Sequence, residues 1–196
     1  MAVQIASYSG RELRRWIPEV ARLRIEVFRD YPYLYDGDLT YEETYLQRYI
    51  ECPRAVVVIA HDGATVVGAS TALPLADEMD AFRTPFAQAG YPVESVFYLA
   101  ESVLDFRYRG RGLGVRFFRE REAHARALGG MEWATFCAVR RAEDHPAKPM
   151  SYQSLDCFWG RRGYAPVLGL TAQLAWREIG EEDETEKTLD FWIKRL

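Results

Sequence analysis

The sequence predicts an α/β (α+β) domain, in which a mixed, mostly antiparallel sheet is flanked by helices. Apolar residues recur at helical spacing over the first fifty residues and then form alternating or β-branched runs typical of strands. Helical and strand patterns alternate again through the second half. No internal repeat, low-complexity tract or Gly/Ser linker divides the 196 residues, so we expect one domain spanning 1–196.

Two helices are predicted after a short first strand. Ser9 and Glu12 form a capping box that opens a helix ending at Pro32. Thr40 and Glu43 repeat the box and open a second helix that runs to about residue 50. Later helices are predicted at 79–89, 112–128 and 152–162, and strands at 3–7, 55–60, 65–73, 96–105, 133–139 and 171–178.

Turn residues connect these elements. His61-Asp62-Gly63 joins two β-branched runs into a hairpin. Gly129-Gly130 closes the helix at 112–128, and a loop with two prolines covers 140–151. The acidic run 181–186 has the pattern of a solvated turn, and the last segment alternates at Leu189, Phe191 and Ile193.

Composition excludes several classes of protein. The net charge is −4, which gives no general argument for nucleic-acid binding, and three cysteines and three histidines show no metal-ligand spacing. The N-terminus lacks the pattern of a signal peptide, and no run approaches the roughly 20 apolar residues of a membrane span. We therefore expect a cytoplasmic protein with no metal, no membrane partner and no nucleic-acid partner.

The segment that indicates chemistry runs from Tyr98 to Gly114, where a strand leads into a glycine-rich turn and a helix. Glycines at 110, 112 and 114 leave main-chain N–H groups uncovered, and the helix N-terminus adds partial positive charge. Arg109 and Arg111 add formal charge. This combination predicts a phosphate site. A P-loop and a dinucleotide fingerprint fit poorly, because Val115-Arg116 stands where a P-loop has Lys-Ser/Thr and the glycine spacing is one residue short.

The run Arg109-Gly110-Arg111-Gly112-Leu113-Gly114 resembles the pyrophosphate-binding motif of the GNAT superfamily of N-acetyltransferases, Arg/Gln-x-x-Gly-x-Gly/Ala. The order of elements is similar along nearly the whole chain. The resemblance implies acetyl-CoA as the donor, a primary amine as the acceptor, and a pantetheine arm paired with the strand near 103–105. The cofactor-binding positions it implies are Val103, Leu104, Asp105, Arg109, Gly110, Arg111, Gly112, Leu113 and Gly114.

Glu101 is the candidate general base, because it interrupts an apolar strand and its alternation places it with Leu99 and Val103. Burial there would raise its pKa toward a useful range. The alternative is a glutamate that only pairs with an arginine. Tyr98 and Asp105 are weaker candidates for the base.

The acid for the leaving thiolate is less clearly indicated. Many GNAT relatives carry a tyrosine where this chain has Trp159. Tyr152, expected at the start of the same helix, is the candidate replacement, and Cys157 is an alternative. The departure at Trp159 motivates a second hypothesis, a non-catalytic acyl-CoA-binding or sensing protein on the same fold.

The acceptor site is indicated only by aromatic residues. Tyr31, Tyr33 and Tyr35 lie between the first two helices, where GNAT relatives build the acceptor pocket, and His145 could line the same site. The resemblance names no acceptor and leaves a homodimer as one open assembly. Seven arginines between 107 and 126 are expected to serve the CoA phosphates and the solvated face of a helix; a nucleic-acid binder is a remote third hypothesis.

Overall fold

The computed structural model describes residues 3–196, which form eight strands and five α-helices. The helices are α1 (Ile17–Phe28), α2 (Leu39–Glu51), α3 (Asp80–Gln88), α4 (Leu113–Leu128) and α5 (Asp156–Gly160). The strands are β1 (Gln4–Tyr8), β2 (Val56–Asp62), β3 (Thr65–Pro74), β4 (Val96–Tyr98), β5 (Ser102–Leu104), β6 (Trp133–Val139), β7 (Ala165–Trp176) and β8 (Thr185–Arg195).

All eight strands belong to one sheet in the order β1-β2-β3-β4-β6-β8-β7, with β5 paired to β3. Every pairing is antiparallel except that of β4 with β6. The mixed, mostly antiparallel sheet flanked by helices is therefore confirmed, and the predicted hairpin is formed by β2 and β3.

Two hydrophobic layers lie on opposite faces of this sheet. Helices α1, α2 and α3 cover one face, where Val20, Leu46 and Phe86 are buried. Helices α4 and α5 cover the other, where Phe117 and Phe158 pack. Side chains of the central strands alternate between the two layers, as a sheet buried on both faces requires. Among residues 3–196, no helix has both the length and the apolar character needed to cross a membrane.

Both predicted capping boxes are wrong in detail. The segment Gly10–Arg15 is a 3₁₀ turn, and α1 begins only at Ile17. Ser9 donates its hydroxyl hydrogen to Ala55 O at 2.9 Å and does not cap the turn. Helix α2 begins one residue before Thr40, and its cap is Asp38, whose Oδ1 accepts from Tyr41 N at 2.8 Å. The hydrogen bonds that Ser9 and Asp38 make therefore differ from those that the two capping boxes predicted, and the helices begin at other residues.

The strand predicted at 96–105 is divided into β4 and β5. In the pairing with β3, Tyr98 lies opposite Leu73 but Ser102 lies opposite Ser70, a shift of one residue in register. The extra residue is a bulge between Tyr98 and Ser102. The sequence predicted that Leu99 and Val103 lie on the same face of the sheet as Glu101, and the bulge makes this prediction wrong. Leu99 packs with the layer under α4, whereas Val103 packs with the layer under α1.

The C-terminal third also differs from the prediction. Helix α5 covers five residues and begins at Asp156, so Tyr152 lies in the preceding loop and not on the helix. Strand β7 begins six residues earlier than predicted and carries an irregularity between Pro166 and Thr171. The alternating last segment is β8, which inserts between β6 and β7.

Candidate active site

The bulge opens the sheet between β5 and β6. Leu99 N still donates to Thr135 O at 2.7 Å, which continues the parallel pairing of β4 with β6. Beyond that point the chain follows β3 alone, since β5 pairs with no other strand in the described part of the chain. Strands β5 and β6 are therefore not paired, and the opening between them is called the strand gap below.

The hydrogen bonds to β3 determine which main-chain groups of β5 face the strand gap. Glu101 O accepts from Thr71 N at 3.0 Å, and Asp105 N donates to Val67 O at 2.9 Å. Since alternate residues of a strand direct their N–H and C=O groups to opposite sides, Ser102 and Leu104 direct theirs toward the strand gap. The main-chain N–H of Asp105 is already used within the sheet.

Arg121 supports the bulge from the α4 side. Its guanidinium donates to Thr71 O at 3.2 Å, Glu101 O at 3.3 Å and Ser102 Oγ at 2.9 Å. Burial lowers the pKa of Arg121 to about 10, so the side chain stays charged at neutral pH. Arg121 is one of the seven arginines predicted to serve the CoA phosphates or the solvated face of a helix. It is instead fully buried and stabilises the divided strand.

The glycine motif follows β5 and ends at the first turn of α4. Gly110 and Gly112 have φ angles of 76° and 79°, in the left-handed region that favours glycine. Gly112 is the N-cap and offers no side-chain cap. The first helical bond runs from Arg116 N to Gly112 O at 3.2 Å, so the N–H groups of residues 113–115 precede the hydrogen-bonded ladder.

The third glycine has a different role. A Cβ at Gly114 would lie 3.2 Å from the Phe158 ring, which is tighter than ordinary packing. At Gly110 and Gly112 a Cβ would meet no atom within 4 Å. Gly114 therefore lets α5 approach α4, whereas the first two glycines provide backbone conformation beside open space.

The arginines of the motif make local contacts. Arg109 Nε lies 3.4 Å from Leu104 O, and Arg111 donates to Arg107 O at 3.0 Å. Asp105 caps the turn that follows β5 by accepting from Arg107 N at 2.9 Å, and its hydrogen bonds with Arg107 lower its pKa. Asp105 is thus a structural residue held in its ionised form, which argues against it as a base.

A cavity of about 500 Å³ lies on the α1–α3 face of the sheet, next to the strand gap. Glu101 lines it from one side of the gap, and Cys137 of β6 lines it from the other. Its size is typical of small-molecule sites. The remaining wall comes from α1, α2, α3, the loop that precedes α2, strands β4, β7 and β8, and the turn between β7 and β8.

Glu101 lies at the floor of this cavity in a buried ion-pair cluster. Arg24 of α1 pairs with both Glu101 and Glu42. Burial opposes the charge on Arg24, but Glu101, then Tyr45 and then Glu42 outweigh it and raise the pKa of Arg24. The second oxygen of Glu101 accepts from the Tyr45 hydroxyl at 3.3 Å. The Glu101 carboxylate is therefore paired with an arginine, as the alternative to the base role predicted. It also faces the cavity.

Tyrosine side chains form much of the wall. Tyr33 and Tyr35 line the cavity, whereas Tyr31 packs edge-on against Tyr152 at a centroid distance of 4.7 Å. Arg141 and the Trp176 indole each donate to Tyr33 O at 3.1 Å and hold this loop on β7. Burial, and to a lesser degree Cys137 and Glu101, raises the pKa of Tyr33, so its hydroxyl stays protonated at neutral pH.

Tyr98 and Cys137 form a second polar pair in the wall. The Tyr98 hydroxyl lies 3.1 Å from Cys137 Sγ, and both side chains are buried. Burial raises the pKa of the Cys137 thiol to about 12 and holds that of Tyr98 well above its ordinary value. Neither group ionises near neutral pH, so neither is suited to accept a proton as the base.

Four other residues that the sequence singled out lie elsewhere. Tyr152 and His145 pack against Tyr31 and do not line the cavity. Trp159 packs with Phe136 and Trp192 at centroid distances of 5.0 Å and 5.1 Å in the layer under α4. The tryptophan is therefore a core residue. Cys157 is exposed on α5.

The sequence reasoning missed Arg24 and Glu42, which build the cavity floor with Glu101. A signal was present, because Arg24 falls seven residues after Ile17 and three after Ala21, within the apolar stripe of α1. A charged residue inside such a stripe indicates a buried partner. Arg121 in α4 carries the same signal, since it lies four residues after Phe117. Over residues 3–196, no group of three or more His, Cys, Asp or Glu side chains is arranged to hold a metal ion.

No protein-family model matches the sequence, and no curated protein sequence matches it either. Solved structures do match. An acetyltransferase of the GNAT family from Staphylococcus aureus Mu50 shares 12% identity and a TM-score of 0.61, over 100% of this chain and 99% of that one.

Two further structures match over their whole length. A ribosomal-protein-alanine N-acetyltransferase from Brucella melitensis shares 14% identity and a TM-score of 0.61, with 100% of both chains covered. An acetyltransferase from Thermus thermophilus shares 17% identity and a TM-score of 0.57, with 100% of this chain and 98% of that one covered. This chain therefore has the fold of the GNAT-family acetyltransferases, as the resemblance of its glycine motif predicted.

Proposed function

We propose that the protein is an acetyl-CoA-dependent N-acyltransferase that transfers the acyl group to a primary amine. One observation carries the proposal: the sheet opens at a bulge that lies between an uncapped helix N-terminus and a cavity with a carboxylate at its floor. A donor bound along the strand gap would present its thioester to an acceptor held in the cavity. The fold of the structural relatives supports this reading.

The residues present fit acetyl-CoA. The N–H groups at 113–115 and the positive end of the α4 dipole suit a pyrophosphate, and the space beside Gly110 and Gly112 is open to a ligand. Arg109 and Arg111 would add charge. Leu113 is buried and anchors the first turn of α4.

The pantetheine arm carries amides that would pair with an exposed strand edge. Within the predicted segment 103–105, Leu104 is the residue whose main-chain groups face the strand gap, and Ser102 joins it. Val103 instead packs its side chain into the core below the gap. We therefore assign the pairing role to Ser102 and Leu104, and a supporting role to Val103 and Asp105.

Glu101 is proposed to take the proton of the attacking amine, directly or through a water. The amine nitrogen forms a bond to the thioester carbon, the carbon–sulfur bond breaks, and the sulfur leaves as a thiolate. The ion pair with Arg24 and the hydrogen bond from the Tyr45 hydroxyl orient the Glu101 carboxylate at the cavity floor.

The acid for the thiolate stays a prediction. Tyr152 is the original candidate, and Tyr33 is a second, because it lines the cavity with a hydroxyl that stays protonated at neutral pH. Comparison of Tyr152→Phe with Tyr33→Phe separates them. The acid is the residue whose loss slows turnover at high pH more than at low pH.

The test of the proposal is free-thiol release from acetyl-CoA in the presence of an amine panel, combined with acetyl-CoA binding by calorimetry. Glu101→Gln should lower kcat by about 10²- to 10⁴-fold and leave acetyl-CoA affinity unchanged. Glu94→Gln, at an exposed site outside the cavity, is the matched control and should retain activity. Equal turnover of Glu101→Gln and wild type at every pH would exclude Glu101 as the base.

The same experiment separates the acyltransferase from the acyl-CoA sensor that Trp159 suggested. Steady thiol release with an amine supports the enzyme. Tight acetyl-CoA binding without release across the panel supports the sensor. Since Trp159 is a packed core residue, its presence does not by itself argue against turnover.

A further inference from the structure

The charges that line the cavity are unbalanced. Seven carboxylates and two arginines contribute to its wall. Three of the carboxylates are paired: Arg24 pairs with both Glu42 and Glu101 at the floor, and Arg177 lies 2.8 Å from Asp36. A single arginine balances only one of the two floor carboxylates, so the floor keeps a formal negative charge.

The other four carboxylates lie at the mouth. Asp38 is exposed at the start of α2, and Glu182, Asp183 and Glu184 are exposed on the turn between β7 and β8. Within residues 3–196, no lysine, arginine or histidine nitrogen lies within 4.0 Å of any of these four carboxylates. The mouth therefore carries an uncompensated negative charge, which attracts cations and repels anions.

Two features inside the cavity also suit a cationic ligand with an aliphatic chain. Aromatic rings of Phe28, Tyr33, Tyr45 and Trp176 form its walls, which favours both methylene groups and ammonium groups. The formal negative charge at the floor is the second feature, because it attracts an ammonium group toward Glu101.

We infer that the acceptor is a linear diamine or polyamine, an inference that rests on the proposed N-acyltransferase function. One amine reaches Glu101 at the floor and loses its proton on attack. A second amine stays protonated and lies against the carboxylates of the mouth. An amino acid fits less well, because its own carboxylate would be repelled there.

The first arm of the experiment compares 1,5-diaminopentane with pentylamine, which has the same carbon chain but a single amine. Exposed charge pairs are individually weak, so the four carboxylates at the mouth should together give the diamine an advantage of roughly tenfold in kcat/KM. Added salt should reduce this advantage, because it screens exposed charges beyond about 10 Å at 0.1 M.

The second arm removes the charge at the mouth. The variant Glu182→Gln/Asp183→Asn/Glu184→Gln should lose most of the diamine advantage and leave kcat/KM for pentylamine unchanged. The control Glu12→Gln/Glu51→Gln/Glu94→Gln changes the net charge by the same amount at exposed positions outside the cavity. It should retain the full advantage.

The outcomes separate the two proposals. Turnover of both amines at equal kcat/KM, or an equal loss in the mouth and control variants, overturns the diamine inference and leaves the acyltransferase intact. Acetyl-CoA binding without turnover of any amine overturns both. A diamine advantage that is lost only in the mouth variant supports the inference.

Discussion

Arg24 is the residue on which the floor of the cavity depends. It is buried between two carboxylates of which one, Glu42, is fully enclosed. Removing one member of such a cluster leaves uncompensated charge in a poorly solvated place, which is far more costly than removing an exposed pair. The cluster thus couples the stability of α1 and α2 to the position of Glu101.

We expect Arg24→Met to lower the free energy of unfolding by about 3–5 kcal/mol. Arg22→Met is the matched control on the same helix, because Arg22 pairs with Glu19 and Glu26 at half-exposed positions and should cost less than about 1 kcal/mol. Urea denaturation of both variants measures the difference. Equal losses in the two variants would show that the buried ion pairs of Arg24 stabilise the fold no more than the exposed ion pairs of Arg22 do.

Cys137 and Cys157 should differ in their reactivity toward an alkylating reagent. Burial raises the pKa of Cys137 to about 12, and because only the thiolate is nucleophilic, Cys137 should resist iodoacetamide at pH 8. Exposed Cys157 should react first. Reactivity of Cys137 should rise only as the pH approaches 12 or after denaturation. Mass mapping of alkylated peptides tests this order, and modification of native Cys137 at the rate of Cys157 would contradict the burial of the thiol.

At the level of the element, α4 has a glycine at each end with a positive φ angle. Gly112 (79°) precedes the helix at the strand gap, and Gly129 (72°) follows it at the opposite end. A side chain at either position meets open space but adopts an unfavourable backbone conformation. Both positions therefore favour glycine, and Gly129 does so more strongly, because its ψ of 154° lies in a region that other residues scarcely adopt, whereas the ψ of 0° at Gly112 is left-handed helical.

Substitutions at the two ends of α4 give a controlled test of the proposed phosphate site. Gly112→Glu should abolish acetyl-CoA binding, a loss of at least about 100-fold in affinity, because it places bulk and negative charge at the helix N-terminus. Gly129→Glu should destabilise the protein by about 1–3 kcal/mol, at least as much as Gly112→Glu, and leave affinity unchanged. Calorimetric titration with acetyl-CoA, alongside thermal unfolding, measures both effects. Unchanged affinity in Gly112→Glu would remove the assignment.

For the individual elements, the sequence predicted local patterns better than it predicted features that depend on tertiary contacts. The glycine motif and the hairpin were predicted because turn chemistry is local. The division of the strand at 96–105 was not, because both halves have strand composition and the bulge depends on which neighbours they pair with. The same reason explains Ser9, whose hydroxyl bonds to Ala55 across the fold instead of capping its own helix.

At the level of the whole molecule, the cavity could not be predicted because it is assembled from distant segments. Glu182, Asp183 and Glu184 looked like a solvated turn, and they are exposed, but the insertion of β8 between β6 and β7 places that turn at the cavity mouth. Glu101 was predicted as a site residue from its position in an apolar strand. Its partner Arg24 lies 77 positions earlier in the chain, and no local pattern links the two.

The central claim is that acetyl-CoA binds along the strand gap, with its pyrophosphate at the N-terminus of α4. Hydrogen–deuterium exchange of backbone amides with and without acetyl-CoA tests it most directly. The account predicts added protection at Ser102, Leu104 and residues 113–115, and none at Gly129. Protection confined to other regions, or an unchanged exchange pattern at saturating acetyl-CoA, would contradict it.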